Sequence, residues 1–470
     1  MKYPEKWHTA GWLIIWDNKK NRSGGSTVTV NRRASGQDEV EQTIGDSRWF
    51  THDRFGMYIH WGLYSLGARH EWMQAREFLS SEQYRKYMKH FDPDLYDPAL
   101  WAELASNAGM KYMVVTTKHH EGFCLWDSKL TDYKATNAPA GRDLLRPMLD
   151  AFRERDIRTG LYYSLLDWHH PDYTVDVKHP LRYNKEFLEQ NKSRDWQKYV
   201  DYLFGQTREL LSEYGKIDVM FYDFSIPSEE GFPAKGKDAW QSEKLMKLIR
   251  ELQPNILLND RLQVAADITT PEQYQPREWI RVNGKRVVWE ACHTFSGSWG
   301  YYRDEESWKS VDLLVKMLID TVGKGGNLLL NVGPTGRGEF DERAVDRLKG
   351  IGEWMRRHSR SIYGCTAAPT EFRCPEDCRF TYNAATNRLY LHVFSWPFKH
   401  IHLYGFSGQV EYAQLLNDAS EIRMVQGEQE MSMEAGAFNE GRSANTLTLQ
   451  LPVKKPNVAV PVIELFLKDR

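Results

Sequence analysis

Between residues 46 and 363 the chain alternates short apolar, β-branched runs with longer segments whose apolar residues recur at helical spacing. That is the pattern of repeated β-α units around a parallel sheet. Seven runs read as strands: Phe55 to Trp61, Tyr112 to Lys118, Thr159 to Leu165, Ile217 to Asp223, Ile256 to Asp260, Val287 to Cys292 and Asn327 to Val332. The helices between them carry their own punctuation. Asp97 followed by Pro98 opens one that Gly109 closes, and a second runs from Ser310 to Gly323, as N-capping and the Pro-in, Gly-out asymmetry require. Seven or more strands separated by helices favour a closed (β/α)8-like, TIM-type barrel over an open doubly wound sheet. No Gly-x-Gly-x-x-Gly opens the first helix, so no nucleotide cofactor is indicated.

From residue 364 to 470 the pattern changes to alternating runs without helices, such as Arg388 to Phe394 and Asn445 to Leu451. This predicts a C-terminal antiparallel β-sandwich. Residues 1–45, with Ser23-Gly24-Gly25-Ser26 and a basic Asn31-Arg32-Arg33 stretch, show no period and read as an irregular arm.

Composition narrows the classes of function. With 62 Lys and Arg against 64 Asp and Glu, a net charge of −2 and no long basic run, nothing would hold a polyanion, so nucleic acid is not an expected partner. No run of about 20 apolar residues is present for a membrane span. The N-terminus lacks a signal-type apolar core, which points to a cytoplasmic location. Five cysteines without regular spacing fit a reducing compartment. Cys374 and Cys378 could form half of a zinc site, but no second pair of ligands accompanies them. Whether the chain forms a homo-oligomer is left open.

In a parallel barrel the chemistry sits where strands end in polar residues. Several runs here do so. The fourth ends in Asp223, with Phe221 on the same face by strand alternation. The second ends in His119-His120, the first in His60, and Glu71-Trp72 follows in the next loop. Asn259-Asp260-Arg261 ends the fifth run, Glu272 lies in the Thr270-Pro271-Glu272-Gln273 loop, and Trp289-Glu290 lies on the sixth. Taken singly, each has an ordinary explanation: a helix cap for Asp223, a satisfied core histidine for His60, a solvated loop acid for either glutamate. No HExxH or HxH spacing accompanies the histidine pair, so no metal is expected. Taken together, they supply what glycoside hydrolysis with retention needs: one carboxylate to attack the anomeric carbon and a second, protonated one to assist the leaving oxygen. Asp223 with Glu272 or Glu290 forms that pair.

In these residues the chain resembles the α-L-fucosidases of glycoside hydrolase family 29, in order from about Trp49 to Tyr363. The segments that carry the resemblance are Arg54 to Ser65, Lys111 to Phe123, Leu161 to Ser164, Asn259 to Arg261, Trp289-Glu290, Ser298 to Tyr301 and Gly325 to Pro334. The resemblance implies an exo-acting, retaining α-L-fucosidase acting on fucosylated oligosaccharides or glycoconjugates without a cofactor. Asp223 matches the nucleophile. His60, Glu71, Trp72, His119, His120, Tyr163 and Arg261 match positions lining the fucose pocket, and Phe221 and Trp299 match aromatic ones. Tyr162 stays open as the alternative to Tyr163, since alternation points only one of them inward. The acid/base varies in position among family members; Glu272 is favoured and Glu290 is the alternative. One departure stands out: the family usually has Gly after the nucleophile, where this chain has Phe224. The competing readings are a family relative acting on a galactoside or arabinoside, and a non-catalytic carbohydrate-binding relative.

Overall fold

The computed structural model describes residues 39–229, 231–426 and 445–469, so most of the expected N-terminal arm lies outside the described residues. Seven parallel strands, β1 (Phe55–Ile59), β2 (Tyr112–Lys118), β3 (Arg158–Ser164), β4 (Val219–Asp223), β5 (Leu257–Leu258), β8 (Glu290–Thr294) and β9 (Asn327–Val332), form one curled sheet in the order β5-β4-β3-β2-β1-β9-β8. A small exposed hairpin, β6 (Arg281–Val282) and β7 (Lys285–Arg286), stands outside it. Most positions of these strands are buried, because helices cover the outer face and side chains fill the interior. Hence they read as continuous apolar runs rather than alternating ones.

The two edge strands β5 and β8 are not paired with each other. The segment 268–272 runs between them instead, joined by isolated parallel bridges Asn259↔Ile268, Thr269↔Trp289 and Glu272↔Cys292. Backbone bonds from Ile268 N to Leu258 O (3.0 Å) and from Cys292 N to Pro271 O (3.1 Å) fasten it to both sides. An irregular stave thus completes the ring of strands, and it carries Glu272.

The helices follow their sequence signals. Asp97 Oδ1 accepts from Ala99 N and Leu100 N at the start of helix Pro98–Asn107, and Gly109 then turns the chain at φ +83°. Ser310 caps helix Val311–Val322 by accepting from Leu313 N. Inside the barrel a separate apolar cluster, including Tyr58, Tyr112, Val114, Tyr162, Val219, Phe221, Cys292 and Leu329, packs in layers. Outside it the larger core lies between strands and helices.

Beyond residue 364 two antiparallel sheets face each other. One has the order β10 (Cys378–Asn383), β11 (Arg388–Val393), β16 (Val462–Leu467), β13 (Val410–Leu415); the other is β12 (His400–Tyr404), β15 (Thr446–Gln450), β14 (Arg423–Gln426). Their inner faces, among them Phe380, Leu391, Leu403, Leu449 and Leu465, share a core of their own. Trp354 of helix Glu342–His358 donates to Val460 O at 2.8 Å and ties the sandwich to the barrel's outer layer.

Candidate active site

At the C-terminal mouth of the barrel, Asp223 ends β4 and faces the interior. Its Oδ2 accepts from the Tyr162 hydroxyl at 2.9 Å and its Oδ1 from the Phe224 backbone N–H at 3.0 Å. The Arg261 guanidinium approaches Oδ1 at 3.6 Å. Arg261 is itself fixed by Thr270, donating to Oγ1 and to the backbone O, each at 3.2 Å, and it reaches Glu272 Oε2 at 3.2 Å. One planar cation therefore spans two carboxylates, and its fork geometry suits it to both.

Burial pushes the Asp223 carboxyl above its ordinary value, offset by Arg261, the Tyr162 hydroxyl, His119 and the Phe224 N–H. Burial also raises Glu272; Arg261 pulls it back and the Asp223 charge pushes it further up. The Glu272 side chain keeps 41 % of its surface open against 14 % for Asp223, so water screens Glu272 more. The asymmetry still has one sense: two hydrogen-bond donors stabilise the Asp223 anion, and that anion favours a proton on Glu272.

Histidines form the opposite wall. His60 Nδ1 lies 2.6 Å from Asn331 Oδ1, while Asn331 Nδ2 donates to Trp299 O at 2.6 Å. The amide orientation makes His60 Nδ1 the donor and leaves Nε2 as an acceptor. His120 repeats the device. Its Nδ1 is 2.6 Å from Ser164 Oγ, whose own proton goes to Leu166 O. Burial holds both imidazoles well below their ordinary value, with His119 adding to the effect. Both are neutral near pH 7 and present acceptors to hydroxyl groups. His119 lies between them, 4.0 Å from the His120 ring and stacked on Tyr162 at 5.8 Å.

Glu71 is almost wholly buried, its Oε2 accepting from Ser298 Oγ at 3.2 Å and Gly300 N at 3.0 Å. Its Oε1 lies 3.1 Å from His70 Nδ1, but that nitrogen already accepts the Trp72 N–H at 3.1 Å and cannot also donate. Among the described residues no hydrogen bond reaches Oε1. Trp72 packs edge-on to His120 and Phe224, at 4.8 and 5.3 Å, and Tyr58, Phe221 and Trp299 form a second aromatic face. Apolar faces and aimed acceptors in one concavity suit a sugar with hydroxyls on one side and a methyl group on another.

Two sequence readings are corrected. Tyr163 faces outward, fully buried among the helices, with its hydroxyl donating to Gln206 Oε1 at 2.7 Å and the Lys118 ammonium over its ring at 4.2 Å. Tyr162 takes the inward place, because it shares parity with Gly160 and Ser164 on β3. Glu290 starts β8 opposite Asn327, at the far end of the barrel. Its Oε2 accepts from the Tyr112 hydroxyl at 2.5 Å, and about 13 Å of strand separates it from the C-terminal mouth. Burial pushes its carboxyl up to about 8. It is a buried neutral acid beneath the pocket rather than a group within reach of it.

Asp223, Glu272, Arg261, His60, His119, His120, Glu71, Trp72, Phe221 and Trp299 share the mouth. The sequence reading missed Asn331, Ser164, Thr270 and Trp168, which orient them. Asn331 was detectable as a polar residue at an inward position of an apolar run. Phe224 sits at φ +70°, in the left-handed region that suits glycine, which accounts for the glycine usual there and marks the substitution as strained by about 1–2 kcal/mol. Among the described residues no group of three or more His, Cys, Asp or Glu is placed to hold a metal ion.

A family model described as α-L-fucosidase matches residues 25–360. A Dictyostelium discoideum α-L-fucosidase is 27 % identical over 388 residues, covering 74 % of this chain and 78 % of its own. α-L-fucosidase isoenzyme 1 of Paenibacillus thiaminolyticus superposes with a TM-score of 0.83 at 43 % identity, covering 90 % of this chain and 99 % of its own. A family 29 α-L-fucosidase of Bacteroides thetaiotaomicron, solved as a trapped covalent intermediate with 2-fluoro-fucosyl fluoride, superposes with a TM-score of 0.76 at 25 % identity over 92 % of this chain and 99 % of its own.

Proposed function

The chain belongs to the α-L-fucosidase family of glycoside hydrolases, and from that premise we propose that it removes terminal α-L-fucosyl residues from fucosylated oligosaccharides or glycoconjugates with retention of configuration. The observation that carries this reading is the bridge of Arg261 between Asp223 and Glu272. It sets Asp223, whose anion accepts from the Tyr162 hydroxyl and the Phe224 N–H, beside Glu272, on which the Asp223 charge favours a proton, the division of labour that double displacement needs.

Asp223 attacks the anomeric carbon as the bond to the leaving oxygen breaks, and the Glu272 proton passes to that oxygen. The product is a fucosyl ester on Asp223 and an ionised Glu272. Glu272 then takes a proton from water, the water oxygen attacks the same carbon, and Asp223 departs as a carboxylate. Two inversions restore the original configuration. The neutral Nε2 atoms of His60 and His120, together with Glu71, accept from sugar hydroxyls. The covalent intermediate trapped in the Bacteroides thetaiotaomicron relative supports this reading.

The test uses wild type, Asp223→Gly, Glu272→Ala and Glu290→Ala on an aryl α-L-fucoside and a fucosylated oligosaccharide, with and without azide. Loss on both substrates for Asp223→Gly, rescued by azide as the β-fucosyl azide, supports the nucleophile. Rescue of Glu272→Ala as the α-azide supports the acid/base. A wild type that releases no fucose but cleaves an aryl galactoside or arabinoside would overturn the sugar assignment, and rescue of Glu290→Ala alone would overturn the choice of acid.

A further inference from the structure

Two loops on the barrel mouth meet outside the pocket at an unusual surface feature. Phe78, in the loop after β1, and Tyr183, in the loop after β3, are 48 % and 72 % exposed, with ring centroids 5.9 Å apart. The Arg182 guanidinium lies over both rings, 4.8 Å from each centroid, and donates to His179 O at 2.9 Å and Ala75 O at 3.5 Å. Arg182 thus ties the two loops together and places its guanidinium against both rings.

Packing does not require this arrangement. Phe78 adopts φ +54°, a left-handed conformation costing a phenylalanine about 1–2 kcal/mol, yet half of its surface faces water and returns little of that cost. The supporting loop is firm. Asp176 is paired with Lys235 at 2.8 Å, both wholly buried, and Lys235 sits 3.7 Å over the Tyr173 ring. His179 stacks on Phe187 at 5.1 Å. The segment that leads to Tyr183 is thereby anchored in the core.

The feature is also continuous with the pocket. Phe78 follows the pocket residue Trp72 by six positions, the short helical turn Met73–Arg76 lying between them. Ser81 donates to Trp168 O at 2.9 Å, and Trp168 packs against both Trp72 and His120. We propose that Phe78 and Tyr183, braced by Arg182, form a stacking platform for a pyranose ring of the saccharide that leaves when fucose is cleaved. The apolar face of such a ring matches an exposed aromatic surface, with the Arg182 guanidinium against both of its rings.

This inference rests on the fucosidase reading, and its test separates the two. Phe78→Ala and Tyr183→Ala are compared with wild type on α-L-fucosyl fluoride, whose leaving group has no ring, and on the fucosylated oligosaccharide that wild type cleaves fastest. Each variant is expected to lose five- to tenfold in kcat/KM on the oligosaccharide, mainly through KM, with fluoride hydrolysis unchanged and Phe78→Tyr close to wild type. Wild-type kinetics on both substrates would overturn the platform, as would equal losses on both. Unaltered oligosaccharide kinetics with a changed mass in solution would overturn it in favour of a contact between copies. A wild type inert toward both substrates would overturn the fucosidase reading itself, and the platform with it.

Discussion

Replacing Glu290 by Gln separates a buried acid from a catalytic one. The folded protein holds this carboxyl at about 8 through burial, against an ordinary value of 4.5. Below pH 4.5 the group is protonated whether the chain is folded or not, and it leaves stability unchanged. Between 4.5 and 8 the unfolded chain has released a proton that the folded chain keeps. Each pH unit then costs the folded state about 1.4 kcal/mol, and above 8 the loss levels off. The accumulated penalty is about 5 kcal/mol, borne by wild type and absent from the glutamine variant. Glutamine keeps an oxygen to accept the Tyr112 hydroxyl, so the two proteins should be about equally stable near pH 4.5. Urea denaturation of both from pH 4.5 to pH 9 should show Glu290→Gln gaining steadily on wild type up to pH 8. Aryl α-L-fucoside hydrolysis by the folded variant should stay within about threefold of wild type. A stability difference independent of pH would refute the protonated carboxyl, and a hundredfold loss of turnover in the folded variant would refute its placement away from the reaction.

Other outcomes follow from the same geometry. Asp223 and Glu272 are both raised by burial, so kcat/KM should rise with pH as Asp223 ionises, above the usual aspartate range, and fall as Glu272 loses its proton; Glu272→Gln should abolish the alkaline limb on a substrate with a good leaving group, and a limb that persists would remove Glu272 from the role. Tyr162→Phe, which removes a 2.9 Å hydrogen bond to the Asp223 carboxylate, should lower kcat roughly tenfold, whereas Tyr163→Phe should cost about 1 kcal/mol of stability with kcat preserved; the reverse order in kinetic assays would restore Tyr163 to the pocket. Lys118→Met leaves Asp167 buried without the ammonium now 2.9 Å away, and thermal unfolding should report a loss of about 3–5 kcal/mol.

The sequence pattern told strand from helix well because parallel strands buried on both faces are apolar throughout, and Pro98, Gly109 and Ser310 mark helix ends by local chemistry alone. It failed at β5, where only Leu257 and Leu258 keep regular pairing, because the segment 268–272 reaches its neighbours through isolated bridges that leave no period. That failure bears on the site, since Glu272 sits on this segment. The choice between Tyr162 and Tyr163 turned on a single residue of parity, which composition does not determine when both neighbours are tyrosine. Local sequence favours Glu272 over Glu290 only as a loop acid with little other reason to be there, and gives neither its place in the barrel. What separates them is height along the barrel axis, set by the register of Glu290 against Asn327, and register is a relation between strands rather than a property of either one.

Arg261, fixed between Asp223 and Glu272, bears on how the charge of the pocket behaves through the proposed cycle. At rest the negative charge lies on Asp223; in the ester intermediate it lies on Glu272. Across these two groups the cation therefore faces one unit of negative charge throughout, moved from one end of its fork to the other by a proton going one way and a sugar going the other, while Asp260, 4.0 Å from its Nε, stays as it is. Because Thr270 holds the guanidinium still, neither step requires a cation to be moved or rehydrated. In the proposed cycle both halves of the reaction then run at constant net charge, and a neutral replacement of Arg261 would weaken the two steps alike.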